Sequence, residues 1–352
     1  MTPRQARTCA APLALALALL PGACSRFAGG GDPCASFLAG PQQASKLKPV
    51  PRDGVLRLRV LYLEDPRVPL ITASQRQELY RRVEALAGRW YGYRLELLEV
   101  GSRDLAQEFA RRGPFDDADQ EACFEQERIE PDTLAGRWAL RSVAERVYAE
   151  RGPEVFDQAF PGTRGVPASQ AREAALSHFT RLYGAVSGMR NGSGALLGTP
   201  QQKRMYSFLH WVAYTRWTRE ADFLLTNATM VEAEGSMPLY VLARGGVTTG
   251  LTDNNAAAPY GAAGVVTLLP FLSGERFAQP AAPETPLPER LDAAATMWMH
   301  ELGHFLLRYG EIYGEPGCVH SASTSLNYFQ WHRAIRKADN ACPRTPEVVE
   351  RF

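Results

Sequence analysis

Residues 297–320 read MWMHELGHFLLRYGEIYGEPGCVH. Within them His300 to His304 spell H-E-x-x-H. On a helix, residues four apart lie one turn above each other on the same face, so His300 and His304 present two imidazoles to one point. Glu301 is then within reach of a water at that point. This is a zinc donor set that still needs a third protein ligand, the fourth position being left to water in a catalytic site. The surrounding segment, LDAAATMWMHELGHFLLRYG, reads as one long helix stopped by Gly310. Met297 and Met299 are read as core, and Leu302 and Gly303 as residues small or smooth enough for close packing.

The third ligand is open among three residues. Glu311 follows His304 by seven positions; on a continuing helix it would lie about 10 Å further along the axis, so it serves only if the helix breaks early. Glu315 follows by eleven. His320 follows by sixteen, in a loop that Cys318 could pin, and imidazole suits zinc. Reach and ligand chemistry favour His320, with Glu311 as the alternative.

HELGH on such a helix resembles the zincin metallopeptidases. The resemblance is specific at residues 300–304 and implies an α+β, zincin-like domain with a mixed sheet and an active-site H-E-x-x-H helix. It implies zinc held by His300 and His304, Glu301 as general base, and a peptide or protein substrate. It also implies a tyrosine near the developing oxyanion, for which Tyr309, Tyr313 and Tyr328 are the neighbours, and an edge strand over the cleft, for which MPLYVLARGGVTT (237–249) with Pro238 is the candidate. The metzincin extension is absent, since Leu307 and Gly310 stand where it needs Gly and His. The thermolysin-like pattern is absent too: the following segment, STSLNYFQWHRAIRKADN, contains no glutamate. Two other functions stay open, a hydrolase of non-peptide amides or cell-wall peptide and a non-catalytic zinc-binding envelope lipoprotein.

The rest of the 352-residue chain supplies the frame. GVLRLRVLYLEDP (54–66) alternates as a half-buried strand, TASQRQELYRRVEALAGRW (72–90) has helical period with Thr72 or Ser74 as N-cap, and YRLELLEV (93–100) is a second strand. A short helix is expected at 102–112. Residues 117–220 lack strand alternation and form a helical insertion or subdomain, in which His178 and His210 are read as structural. ADFLLTNATMV (221–231) and AAGVVTLLPFL (262–272) are further strands, PAAPETPLPER (280–290) a connector, and 325–338 a last helix.

The N-terminus is read as address, not fold. Arg4 and Arg7 precede APLALALALL, and Gly22 and Ala23 precede Cys24. Residues 1–23 resemble a bacterial lipoprotein signal, with Cys24 lipidated and the protein exported to the cell envelope on a membrane anchor. Residues 24–51 are a flexible tether and 52–352 the catalytic domain. An exported chain with Cys34, Cys123, Cys318 and Cys342 can form two disulfides, for which Cys318–Cys342 and Cys34–Cys123 are the favoured pairs. The net charge of +1, without a basic run, gives no reason to expect nucleic acid as a partner.

Overall fold

The computed structural model describes residues 54–112, parts of 133–177 and 211–220, and 221–228, 230, 245–248, 264–275, 278–279, 281–307, 312, 315–321 and 328–342. The signal and tether, Cys24, Cys34, Cys123, His178, His210, Pro238, Tyr309, Glu311 and Tyr313 lie outside the described residues.

The fold is α+β. Among the described residues a five-stranded sheet has the order β2-β1-β3-β5-β4. β1 (Val55–Glu64), β2 (Arg94–Asp104), β3 (Phe223–Thr226) and β5 (Gly264–Thr267) run parallel; β4 (Gly246–Thr248) is the antiparallel edge. The sequence explains which strands are central. β3 (FLLT) and β5 (GVVT) have every residue buried, the composition of parallel strands covered on both faces. β1 alternates only at its start, where Arg57 and Arg59 are exposed, and is then buried from Val60 to Leu63. Leu56, Leu58, Val60 and Tyr62 face one core; Leu61 and Leu63 face a second core on the other side of the sheet.

Helices α1 (Ala73–Leu86), α4 (Leu287–Leu307) and α5 (Tyr328–Ala338) contribute to the first core. α1 is capped by Thr72, one of the two N-cap candidates in its sequence, and the cap is a reciprocal capping box. Gln75 N donates to Thr72 Oγ1 at 3.2 Å and Thr72 N donates back to Gln75 Oε1 at 2.8 Å. Its buried stripe is Arg76, Leu79, Tyr80 and Val83, and Tyr80 meets Trp298 of α4 edge to face at 5.8 Å. α1 ends in a π-helical turn, Ala87–Tyr91, closed by Gly92 at φ 72°. The second core holds α2 (Leu105–Arg112), α3 (Leu269–Leu272), Trp211 and Tyr214; Phe109 of α2 lies 5.0 and 4.8 Å from those two rings.

α4 is buried over most of its surface, so it is a core helix and not an amphipathic one. It starts at Leu287, three residues before the expected connector ends, and Pro288 is accommodated because the first turn of a helix needs no N–H partner. No helix among the described residues is long and apolar enough to cross a membrane. β2 also exceeds its sequence bounds and takes 102–104 from the expected short helix, which begins at Leu105.

α5 lies along α4 through Phe329, Trp331 and Ile335, with Arg333 and Arg336 reaching Glu289 and Asp292 at 2.6 and 3.5 Å. Between the helices His332 Nδ1 sits 2.8 Å from Thr296 Oγ1. Burial holds the His332 pKa down to about 4. An unfolded chain takes up that proton near pH 6.5, the folded one only near pH 4, so stability falls as pH drops across that window. The unfolding free energy of wild type should therefore lose up to about 3 kcal/mol more than that of His332→Gln between pH 7 and pH 4. Denaturant titrations of both proteins at each pH measure this difference, and parallel curves would refute it.

Candidate metal centre

Two elements build the site. α4 carries His300, Glu301 and His304; the segment 315–321 carries His320. Donor atoms of the three histidines all lie within 4.8 Å of one another. His300 Nε2 and His304 Nε2 approach to 2.9 Å. Three nitrogens about 2.0–2.1 Å from a tetrahedral ion lie roughly 3.3 Å apart, so small ring rotations separate this arrangement from a ligand set. His300 and His320 are buried, and His304 is half-buried and marks the side open to solvent. The imidazole of His320 is held well below its ordinary pKa, first by burial and then by His304 and His300 beside it. It is therefore neutral, the form in which a histidine ligates.

The sequence of α4 explains how His320 can come so close. Gly303 lies one residue before His304, and a Cβ placed there would stand 2.1 Å from His320 Cε1 and Nε2 and 2.5 Å from the Tyr91 hydroxyl. The missing side chain is a notch in the helix surface that receives the third imidazole.

The His320 segment is fixed at several points. Cys318 is disulfide-bonded to Cys342, as the spacing suggested. Val319 N donates to Asn340 Oδ1 at 2.8 Å, and Asn340 ends α5 in the left-handed conformation at φ 56°. Ile312 N donates to His320 O at 2.8 Å. Trp331 Nε1 donates to Ser321 Oγ at 2.9 Å. The same segment orients a second histidine, because His300 Nδ1 donates to Val319 O at 2.7 Å and so leaves Nε2 as the lone-pair nitrogen.

Glu301 is buried on the β4 side of α4. Thr248 Oγ1 donates to its Oε2 at 2.7 Å and lies 2.9 Å from its backbone oxygen. Gly246 makes room for the carboxylate: a Cβ there would stand 2.6 Å from Glu301 Oε1. The edge strand thus lies against the acidic residue of the motif.

Of the sequence candidates, His300, His304 and His320 meet at one place, and Glu301 is held against β4 on the same helix. Glu315 does not: it is exposed, outside the cluster, and its backbone oxygen accepts a turn bond from Cys318 N. Tyr328 is buried and accepts from Gly245 N at 2.8 Å, so it anchors the start of β4. Met297 and Met299 are core. Of 237–249, residues 246–248 form the edge strand.

Sequence reading missed Tyr91 and Thr248. Tyr91 OH lies 3.0 Å from His320 Nε2 and donates to Met299 O at 2.6 Å. Nothing in RWYGY distinguishes that ring from the chain's other tyrosines, and only the π turn brings it to α4. The chain matches no protein-family model, no curated protein and no solved structure. The site's own geometry therefore carries the functional reading.

Two outcomes follow from the notch and the disulfide. Gly303→Ala should improve helix propensity by about 1 kcal/mol yet lower metal affinity by at least ~10-fold. Circular dichroism and metal competition with a chelator read the two effects separately; unchanged affinity would refute the notch. Reducing Cys318–Cys342, or replacing both cysteines with serine, should weaken metal binding by roughly tenfold while the remaining hydrogen bonds keep the segment partly docked. Equal affinity in oxidised and reduced protein would mean that the disulfide is irrelevant to the centre.

Proposed function

We propose that this chain is a zinc-dependent hydrolase of zincin-like fold that cleaves peptide bonds. The observation that carries the reading is the convergence of His300, His304 and His320 around one point, with Glu301 of the same helix held by the edge strand. Three imidazoles fit zinc by ligand chemistry. Among the described residues the cluster has no fourth His, Cys, Asp or Glu member. Structural zinc sites are closed by four protein ligands, so a three-histidine set favours catalysis over a purely structural role.

When bound, zinc supplies Lewis acidity, polarising a carbonyl and making water acidic enough to lose a proton near neutral pH. Glu301 takes that proton and returns it to the leaving amine. Thr248 holds Oε2, so the carboxylate is oriented before substrate arrives. β4 supports the peptide assignment. Among the described residues it is the sheet's antiparallel edge and lies against Glu301, and an extended peptide can add to such an edge through main-chain hydrogen bonds. Export to the cell envelope on a Cys24 lipid anchor belongs to the same proposal, on the strength of the N-terminal sequence.

Purified protein should contain about one zinc per chain by elemental analysis, lost in His300→Ala. Glu301→Gln should retain the zinc and lose about 10²–10⁴-fold in cleavage of a quenched-fluorescence peptide library. A metal-replete wild type without zinc would end the proposal. A fully active Glu301→Gln would remove Glu301 from its role.

A further inference from the structure

We propose that Tyr91 is a positioning residue of the metal centre: its phenol oxygen accepts the Nε2 proton of His320 and thereby turns His320 to ligate through Nδ1. The inference rests on the metal reading above and deepens it, because His300 and His320 then use different nitrogens.

The proton count leads to this assignment. A tyrosine hydroxyl has one proton. That of Tyr91 is directed to Met299 O at 2.6 Å. Toward His320 Nε2, at 3.0 Å, the oxygen therefore presents a lone pair, and Nε2 must carry a hydrogen. A histidine that ligates does so as the neutral imidazole, which carries a single ring proton. One proton on Nε2 leaves the lone pair on Nδ1, the only nitrogen then able to bind a cation. His300 is set the opposite way: its Nδ1 hydrogen goes to Val319 O, and its Nε2 faces His304.

The backbone places the phenol for this task. α1 packs on α4 through Tyr80 and Trp298. The π turn Ala87–Tyr91 widens the last turn of that helical run before Gly92 reverses the chain. Tyr91 is thereby set nearly parallel to the His320 ring, 16° between planes with centroids 6.1 Å apart. The Gly303 notch admits both groups, since a Cβ at that position would collide with the His320 ring and crowd the Tyr91 hydroxyl. The phenol spans from a backbone oxygen of the metal helix to the loop ligand, so it registers one against the other.

The test is Tyr91→Phe, which keeps the ring and removes the oxygen, with Tyr93→Phe as a nearby control. Imidazole ¹⁵N NMR on histidine-labelled protein reports which nitrogen is protonated, without and with zinc. In metal-free wild type His320 should show the Nε2–H tautomer, and Tyr91→Phe should lose or mix it; this holds whether or not the protein binds zinc. In the zinc-loaded wild type, one histidine should ligate through Nδ1. Chelator competition should give a 10–100-fold weaker zinc affinity for Tyr91→Phe, with Tyr93→Phe unchanged. If metal-free His320 has the Nδ1–H tautomer, or all three histidines ligate through Nε2, the role of Tyr91 is overturned while zinc binding stands. If Tyr91→Phe matches wild type in tautomer and affinity, it is equally overturned. If the tautomers behave as expected but no protein binds zinc, the metal reading fails and the hydrogen-bond assignment survives.

Discussion

A buried imidazole can lie against the backbone of a helix only where that helix has no side chain. Gly303 provides that place, and the rest of the centre depends on it. With any Cβ at position 303 the His320 ring would have to withdraw, and the segment 315–321 would withdraw with it. That segment also carries the Val319 carbonyl, which orients His300. One absent methyl therefore bears on two of the three histidines. This gives Gly303 a physical role inside HELGH beyond occupying an unspecified position.

Holding three imidazoles together without charge is costly, since each must give up water for partners of fixed geometry. The chain compensates with restraints that converge from different elements. The left-handed Asn340 at the end of α5 and the disulfide at Cys342 hold the loop from below. Trp331 holds it from α5 through Ser321. Tyr91 approaches from α1, and Thr248 and Gly246 from the edge strand. These side chains come from segments separated by more than two hundred residues, so the sheet is what brings them into register. The α1–α4 contact at Tyr80 and Trp298 and the β4–α4 contact at Glu301 transmit that register to the site.

The motif was legible because helical spacing alone puts His300 and His304 on one face. His320 was legible by chemistry and reach, helped by the nearby Cys318. Glu315 was excluded only by three-dimensional position, since its type and spacing were acceptable. Thr72, offered alongside Ser74, announced its helix because capping is local. The strands β3 and β5 were legible from apolar runs bounded by turn residues, but their parallel pairing with β1 was not, because pairing is a long-range property. Tyr91 and Thr248 could not have been found: a tyrosine or threonine has no distinguishing pattern, and their roles arise from a π turn and an edge strand meeting α4. The early start of α4 at Leu287 was obscured by four prolines that read as a connector, although proline is well tolerated in a first turn.

The most direct test of a three-histidine centre is X-ray absorption at the zinc edge, comparing wild type with His320→Ala. The account predicts three imidazole nitrogens at about 2.0–2.1 Å plus one light atom in wild type, and two imidazoles in the variant. An unchanged imidazole count in His320→Ala, or sulfur scattering near about 2.3 Å, would contradict it.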